Sequence, residues 1–482
     1  MSRPIPKYQR LSEELRTQIR SGLLAPGARL PAIRPLAQRY GLSVVTVSHA
    51  LQMLEREGWI RAQARARYRV SALAASLAPT ALAPAAEVFA APVPDQLLRT
   101  VMAVLQLDGI EVPLGGSTLD ADCIPYAALR RSEAALHRAL GAQAYGYEIA
   151  PGLPALRAEV ARRLSPGGPP LAADEITITG GCLEAVMLAL DTTTRPGDTV
   201  LVENPTFYGL LQLLQRMNLK VVEVALDPVQ GLSAAAVEAV LERQTVTAAC
   251  LTPSFNNPSG ALTSIGEKRA IGALLAARRI ALIEDDVYGE LSHHGPRPPP
   301  MIALCPQTDI VTCGSVSKVL APGLRLGWAA RRRSGHGDRF RNLQTAKFIS
   351  TLAAPTLAQH LIAEWMHSGR YDRHLQRLRR DLPAQMTAYR TCILRHFPPD
   401  TEVSRPLGGF LLWLRLPQPV DPLWLIRAAQ SVQVGLVPGT AFSTRETVSP
   451  WLRLSAGLRL TPRVERGIRD LGALLGRDRA IP

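Results

Sequence analysis

Residues 71 to about 95, SALAASLAPTALAPAAEVFAAPVPD, constrain this chain most, because they divide it. Alanine and proline dominate the stretch and charge is nearly absent, the composition of a semi-rigid linker. At 482 residues the chain is also too long for one ordinary core. The expectation is a head over residues 1–70, a linker over 71–95 and a large domain over 96–482.

Charge separates the parts as well. The formal net charge is +15, and residues 1–70 hold 13 Lys/Arg against 4 Asp/Glu, so +9 of the excess lies in the head. A local field of that sign favours a polyanion. No apolar run reaches the roughly 18 residues that a bilayer span needs, so no membrane partner is expected. The opening MSRPIPKYQR lacks the apolar core of a secretory signal. The six cysteines are scattered, without a CxxC pair, and read as reduced thiols of a cytoplasmic protein with no metal.

In the head, Leu11, Leu15 and Ile19 fall on one helical face. A second helix is expected from Ile33 to Tyr40, closed by Gly41. Ser43 is placed to cap a third, with Val47, Ala50, Leu51 and Leu54 as its buried stripe. Trp59 and Ile60 then open a ribbon carrying Arg61, Arg65, Arg67 and Arg69. Two short helices around a glycine turn, followed by an arginine-bearing ribbon, predict a winged helix-turn-helix. Its third helix would enter the major groove of double-stranded DNA, presenting Ser43, Val45, Thr46, Ser48 and His49. The run GLLAPGARLPAIRPLAQRYGLSVVTVSHALQMLEREGWI resembles the DNA-binding domain of the GntR family over residues 5–70. That resemblance implies DNA contacts by Arg34, Ser43, Thr46 and Ser48, and by Arg65 and Arg67 on the wing. Val44 stands where many members carry arginine, and the wing tip ARARY has no glycine.

From about residue 96 onward, apolar strands alternate with amphipathic helices, the pattern of an α/β domain. GSVSKVLAPGLRLGW (314–328) suits a cofactor bearing an aldehyde and a phosphate. Lys318 would form the Schiff base, and Ser315, Ser317 and Arg325 would bind the phosphate. In ALIEDDVYGEL (281–291) an apolar strand ends in acids; Asp285 is read as partner of a cofactor ring nitrogen, with Asp286 competing, and Tyr288 as reaching a ring hydroxyl. LTPSFNNPSG (251–260) offers Asn257 to the same ring oxygen. ITITGGCLEAVMLAL (176–190) reads as strand, Gly-Gly turn and helix, with Gly181 and Cys182 at an anion-binding helix start. In ENPTFYG (203–209), Phe207 is placed to stack on the ring, a core aromatic being the plainer reading.

Together these motifs resemble fold type I aminotransferases over residues 110–475, which implies a pyridoxal 5′-phosphate-dependent transferase fold with large and small subdomains. By that resemblance Tyr147, in YEIAPGLPALR, reaches the phosphate of a partner subunit, making a homodimer. Arg453, in WLRLSAG, binds the carboxylate of an amino-acid ligand, and PLGGFLLWL (406–414) belongs to the small subdomain. A winged helix ahead of such a domain resembles the MocR subfamily of GntR regulators. This implies a transcription regulator that binds an operator and senses pyridoxal phosphate, or an amine or amino-acid effector, through an aldimine at Lys318. A working aminotransferase with an accessory winged helix stays open as the alternative, and so does a regulator that no longer uses the cofactor.

Overall fold

The computed structural model describes residues 7–8, 11–12, 14–15, 28–56, 59–63, 67–70, 89–106, 108–332 and 339–476. The chain divides into two compact units, Met1–Glu87 and Val88–Pro482.

In the first unit, α1 (Ile33–Tyr40) ends where Gly41 takes a left-handed conformation, φ 60°. Ser43 then caps α2 (Val44–Arg56), its Oγ accepting from Thr46 N–H at 3.1 Å. Val47, Ala50, Leu51 and Leu54 turn inward and pack with Leu11, Leu15, Leu36, Trp59 and Ile60. Strands β1 (Ile60–Gln63) and β2 (Arg67–Val70) pair antiparallel, Arg61 opposite Arg69. Helices, cap and ribbon match the expected winged helix.

The second unit is built on a twisted sheet of eight strands. In chain order they are β3 (Ala91–Pro92), β4 (Ile176–Thr179), β5 (Thr199–Asn204), β6 (Lys220–Ala225), β7 (Ala248–Leu251), β8 (Ala281–Asp285), β9 (Ile310–Ser315) and β10 (Gly327–Arg332). Their spatial order is β3-β6-β5-β7-β8-β9-β10-β4. The pairs from β6 through β9 are parallel, and β10 runs antiparallel to both β9 and β4. The central strands read as unbroken apolar runs because helices cover both faces; β7 is buried along its whole length.

Pairing of Ala91 and Pro92 with Val221 and Lys220 puts the end of the Ala/Pro-rich stretch inside this unit. Val93 is buried and a helix already starts at Asp95. The expected linker boundary at 95 is therefore too late, since backbone pairing at a sheet edge captured residues whose composition reads as linker.

A second sheet, ordered β11-β12-β14-β13, comprises β11 (Glu402–Val403), β12 (Leu411–Val420), β13 (Val437–Pro438) and β14 (Ser449–Ser455). The long helix Arg370–His396 and the helix Pro462–Leu475 pack together beside it. These large and small parts form the fold type I architecture expected of the chain.

Candidate functional site

In an open parallel sheet, ligands bind beyond the carboxyl ends of the strands. Strands β5, β7, β8 and β9 end at Asn204, Leu251, Asp285 and Ser315, and the segments that follow carry Phe207, Asn257, Tyr288 and Lys318. Register extends this edge: Ser315 pairs with Gly327, and Gly327 with Thr179 at the end of β4. Sheet pairing therefore assembles motifs far apart in sequence.

At that edge Gly181, at φ 122°, precedes α3 (Cys182–Thr193), whose first N–H groups have no helical partner. Arg325 donates from Nη2 to Gly180 O at 2.8 Å, and a Cβ built on Gly181 would lie 2.7 Å from that nitrogen. Ser315 Oγ donates to Ser317 Oγ at 2.7 Å and accepts from Ser317 N–H at 2.9 Å. Two hydroxyls, a guanidinium and a helix start thus share one edge, a donor set suited to a phosphate.

Lys318 Nζ donates to Ser117 O at 2.6 Å. Burial lowers its pKa to about 8, and the Arg453 and Arg325 charges act in the same direction against the opposing pull of Asp285. Desolvation pushes the carboxyl of the half-buried Asp285 up, while two donors favour the ionised form: Cys182 Sγ at 3.2 Å and Val287 N–H at 3.1 Å. Asp286, the competing acid, turns instead to an ion pair with Arg297. Tyr288 OH shares a 2.5 Å hydrogen bond with Ser117 Oγ, and burial raises its pKa.

Arg453 lies on β14, opposite Trp413 of β12 and Val437 of β13. It is fully buried. Nη1 donates to Asn257 Oδ1 at 2.9 Å, and the guanidinium lies over the Phe442 and Tyr208 rings at 5.2 and 5.8 Å. Its Nε has no hydrogen-bond partner, an orphaned buried donor suited to an anion. Phe207 caps the helix Tyr208–Arg216, and the absence of a side chain on Gly209 makes room for its ring; a Cβ there would meet Phe207 Cε1 at 2.5 Å. Tyr147 is not brought to these residues and stands 78% exposed.

Sequence reasoning missed several supporting groups. Ser117 meets both Lys318 and Tyr288, and no motif marks it. Glu203 ends within β5 wholly buried; it accepts from Thr252 N–H at 2.9 Å, and burial lifts its pKa to about 8. Glu184 accepts from Gly180 N–H and from the buried Lys347 at 3.0 Å, which holds the turn before α3. The Cys182 thiol donates to Asp285 Oδ1, a contact that no motif marks. Away from this centre and among the described residues, Cys392, His396 and Glu465 bring potential ligand atoms within 4.8 Å of one another; Glu465 comes from a separate helix, so Cys spacing gave no sign of it.

On the first unit, Arg34 and Ser43 are exposed, and Thr46 and Ser48 are half-buried. Arg65 lies outside the described residues, as does the side chain of Arg67, whose backbone is in β2.

The residues of the second unit fit pyridoxal phosphate: an amine of lowered pKa, a half-buried carboxylate, an orphaned guanidinium donor and a phosphate cradle that a Cβ at Gly181 would fill. Residues 115–464 match the family described as aminotransferase class I and II, and residues 7–70 match the gntR family of bacterial regulatory proteins. The HTH-type transcriptional regulator YdcR of Escherichia coli is 36% identical over 97% of this chain and 99% of its own length. A 2-aminoadipate transaminase of Thermus thermophilus is 29% identical over 78% of this chain and 93% of its own. The crystal structure of LysN, the α-aminoadipate aminotransferase of Thermus thermophilus complexed with N-(5′-phosphopyridoxyl)-L-leucine, aligns with a TM-score of 0.71 at 29% identity, covering 78% of this chain and 94% of that one. With a matching model at each end and a full-length relative, this chain belongs to the MocR type of GntR-family transcription regulators, a winged helix fused to a class I and II aminotransferase domain.

Proposed function

We propose that this protein is a pyridoxal phosphate-dependent transcription regulator that binds an operator through its winged helix and responds to what occupies the Lys318 site. The observation that carries the reading is Lys318 itself: an amine of pKa about 8, held by Ser117 O and sharing its surroundings with Asp285, Arg325 and Arg453, in a chain that also carries a GntR-type head.

When bound, pyridoxal phosphate supplies an aldehyde that reacts with amines and a ring that accepts electrons. Lys318 Nζ is the group that would hold it, because a lowered pKa leaves more of the amine neutral near pH 7. The Gly181–Cys182 turn, Ser315, Ser317 and Arg325 would bind the phosphate. Asp285, assisted by its Cys182 and Val287 donors, would keep a ring nitrogen protonated. Phe207 would stack on the ring, and Tyr288 and Asn257 would bind its oxygen. Arg453 would take the carboxylate of an amino-acid effector. Tyr147, exposed in one chain, would serve the phosphate of a second copy in a homodimer. On the head, Arg34, Ser43, Thr46, Ser48, Arg65 and Arg67 would lie against DNA. Ligand binding changes DNA affinity only if the ligand prefers one of two states, so an effector must bind the DNA-competent and DNA-incompetent forms unequally.

Borohydride treatment of the purified full chain loaded with pyridoxal phosphate, followed by peptide mapping, tests the site. Label is expected at Lys318, and an unlabelled Lys318 peptide overturns the reading. The complete set of side chains, with 29% identity to a transaminase, supports a second reading as an active aminotransferase. Sustained turnover of amino acids, with no DNA sequence bound selectively, would favour it.

A further inference from the structure

The first turn of α2 carries two apolar side chains that no described residue of its own unit covers. Val45 is 78% exposed and Val44 48%, whereas Val47, Ala50, Leu51 and Leu54 of the same helix are fully buried. The polar groups beside them are already engaged. Ser43 Oγ and Thr46 Oγ1 share a 2.8 Å hydrogen bond, and Ser43 Oγ also accepts from Thr46 N–H. His49 stacks on Tyr8, ring centroids 4.3 Å apart. This end of the helix therefore exposes a pair of isopropyl groups between hydroxyls that bond each other.

An exposed apolar pair on a small basic unit offers an apolar contact to whatever that unit binds. Residues 1–70 carry a charge excess of +9, which selects a polyanion. In the major groove of B-DNA, the edges of guanine, cytosine and adenine present hydrogen-bonding groups, and the C5-methyl of thymine is the apolar feature. A valine set against guanine N7 and O6 would strip water from acceptors and return no donor, which is unfavourable. Against a thymine methyl it removes apolar surface from water on both sides.

Resting on the proposed role of the head in DNA binding, we infer that Val45, with Val44 beside it, is a base-reading contact specific for thymine methyl groups. The selectivity of this protein thus comes in part from apolar contact in the groove, while its arginines supply affinity through phosphates. Phosphate contacts position a protein without discriminating between sequences, so the two contributions separate experimentally.

The test uses the full chain and a pool of random-sequence DNA duplexes carrying no methylated cytosine, so that thymine is the one source of the methyl. The duplex enriched by binding is resynthesised with deoxyuridine in place of single thymines, which deletes the methyl and preserves every hydrogen bond. At contacted thymines the affinity is expected to fall about fourfold each, the effect of one buried methyl-sized group. In Val45→Ala the same replacement is expected to change affinity by less than about 1.5-fold, while the salt dependence of binding stays as in the unaltered protein. Circular dichroism checks that the variant is folded, and Val45→Thr, which keeps one methyl, should retain part of the sensitivity. Binding indifferent to deoxyuridine at every position overturns the inference but leaves DNA recognition standing. A pool from which nothing is enriched overturns both.

Discussion

Arg453 Nη1 donates to Asn257 Oδ1 at 2.9 Å, joining a strand of the small sheet to the turn after β7 of the large one. The guanidinium is buried, so its charge is poorly solvated, and burial lowers its pKa. An incoming carboxylate would find this charge desolvated, oriented and equipped with an unpartnered Nε.

Arg453→Gln is accordingly expected to weaken binding of amino-acid effectors by about 3 kcal/mol, roughly a hundredfold. Amines without a carboxylate should bind nearly as before. Spectral titration of the cofactor-loaded protein with an amino acid and with its decarboxylated amine measures both. Equal losses for the two ligands would remove Arg453 from the carboxylate role.

The pH dependence of cofactor attachment follows from Lys318. Its pKa is lowered to about 8, so below that pH the site holds mostly an ammonium without a lone pair, and above it mostly the reactive amine. The rate of attachment to cofactor-free protein should rise about tenfold per pH unit below 8 and level off above it. Stopped-flow absorbance checks the profile, and Lys318→Ala should abolish attachment at every pH.

Gly181→Ala places a methyl group against Arg325 at a φ of 122°, where L side chains are strained. The expected outcome is at least about tenfold weaker retention of pyridoxal phosphate, from backbone strain of about 1–3 kcal/mol and a displaced guanidinium. Equilibrium dialysis reads it directly. Unchanged retention would mean that the turn does not meet the phosphate.

Glu203 carries a stability signature. Its pKa is raised to about 8 by burial, so between about 4.5 and 8 the folded protein holds a proton that the unfolded chain releases. Stability from this group is full below pH 4.5 and is lost as pH rises through 8. Glu203→Gln, which mimics the neutral acid, should flatten that decline, with a difference on the order of 3 kcal/mol by pH 9. Unfolding curves of the two proteins from pH 6 to 9 decide it, and parallel curves would show that Glu203 is ionised throughout.

Short-range pattern was enough for much of this protein. Helical spacing and the Gly41 and Ser43 signals located the head's helices, because caps and turns depend on residues within a few positions. The motif order around Lys318 likewise marked the strand ends that converge, since the carboxyl edge of a parallel sheet follows from strand direction.

Contacts between distant segments were beyond such pattern. Motif register favoured Asp285 over Asp286, but folding alone supplied their partners, Arg297 for Asp286 and the Cys182 thiol for Asp285. Ser117 reached Lys318 across 201 positions, and Arg453 was buried against Asn257 across 196. Burial and pairing of that kind arise when separate strands and helices close on one another, and they shift the pKa values of Lys318 and Asp285.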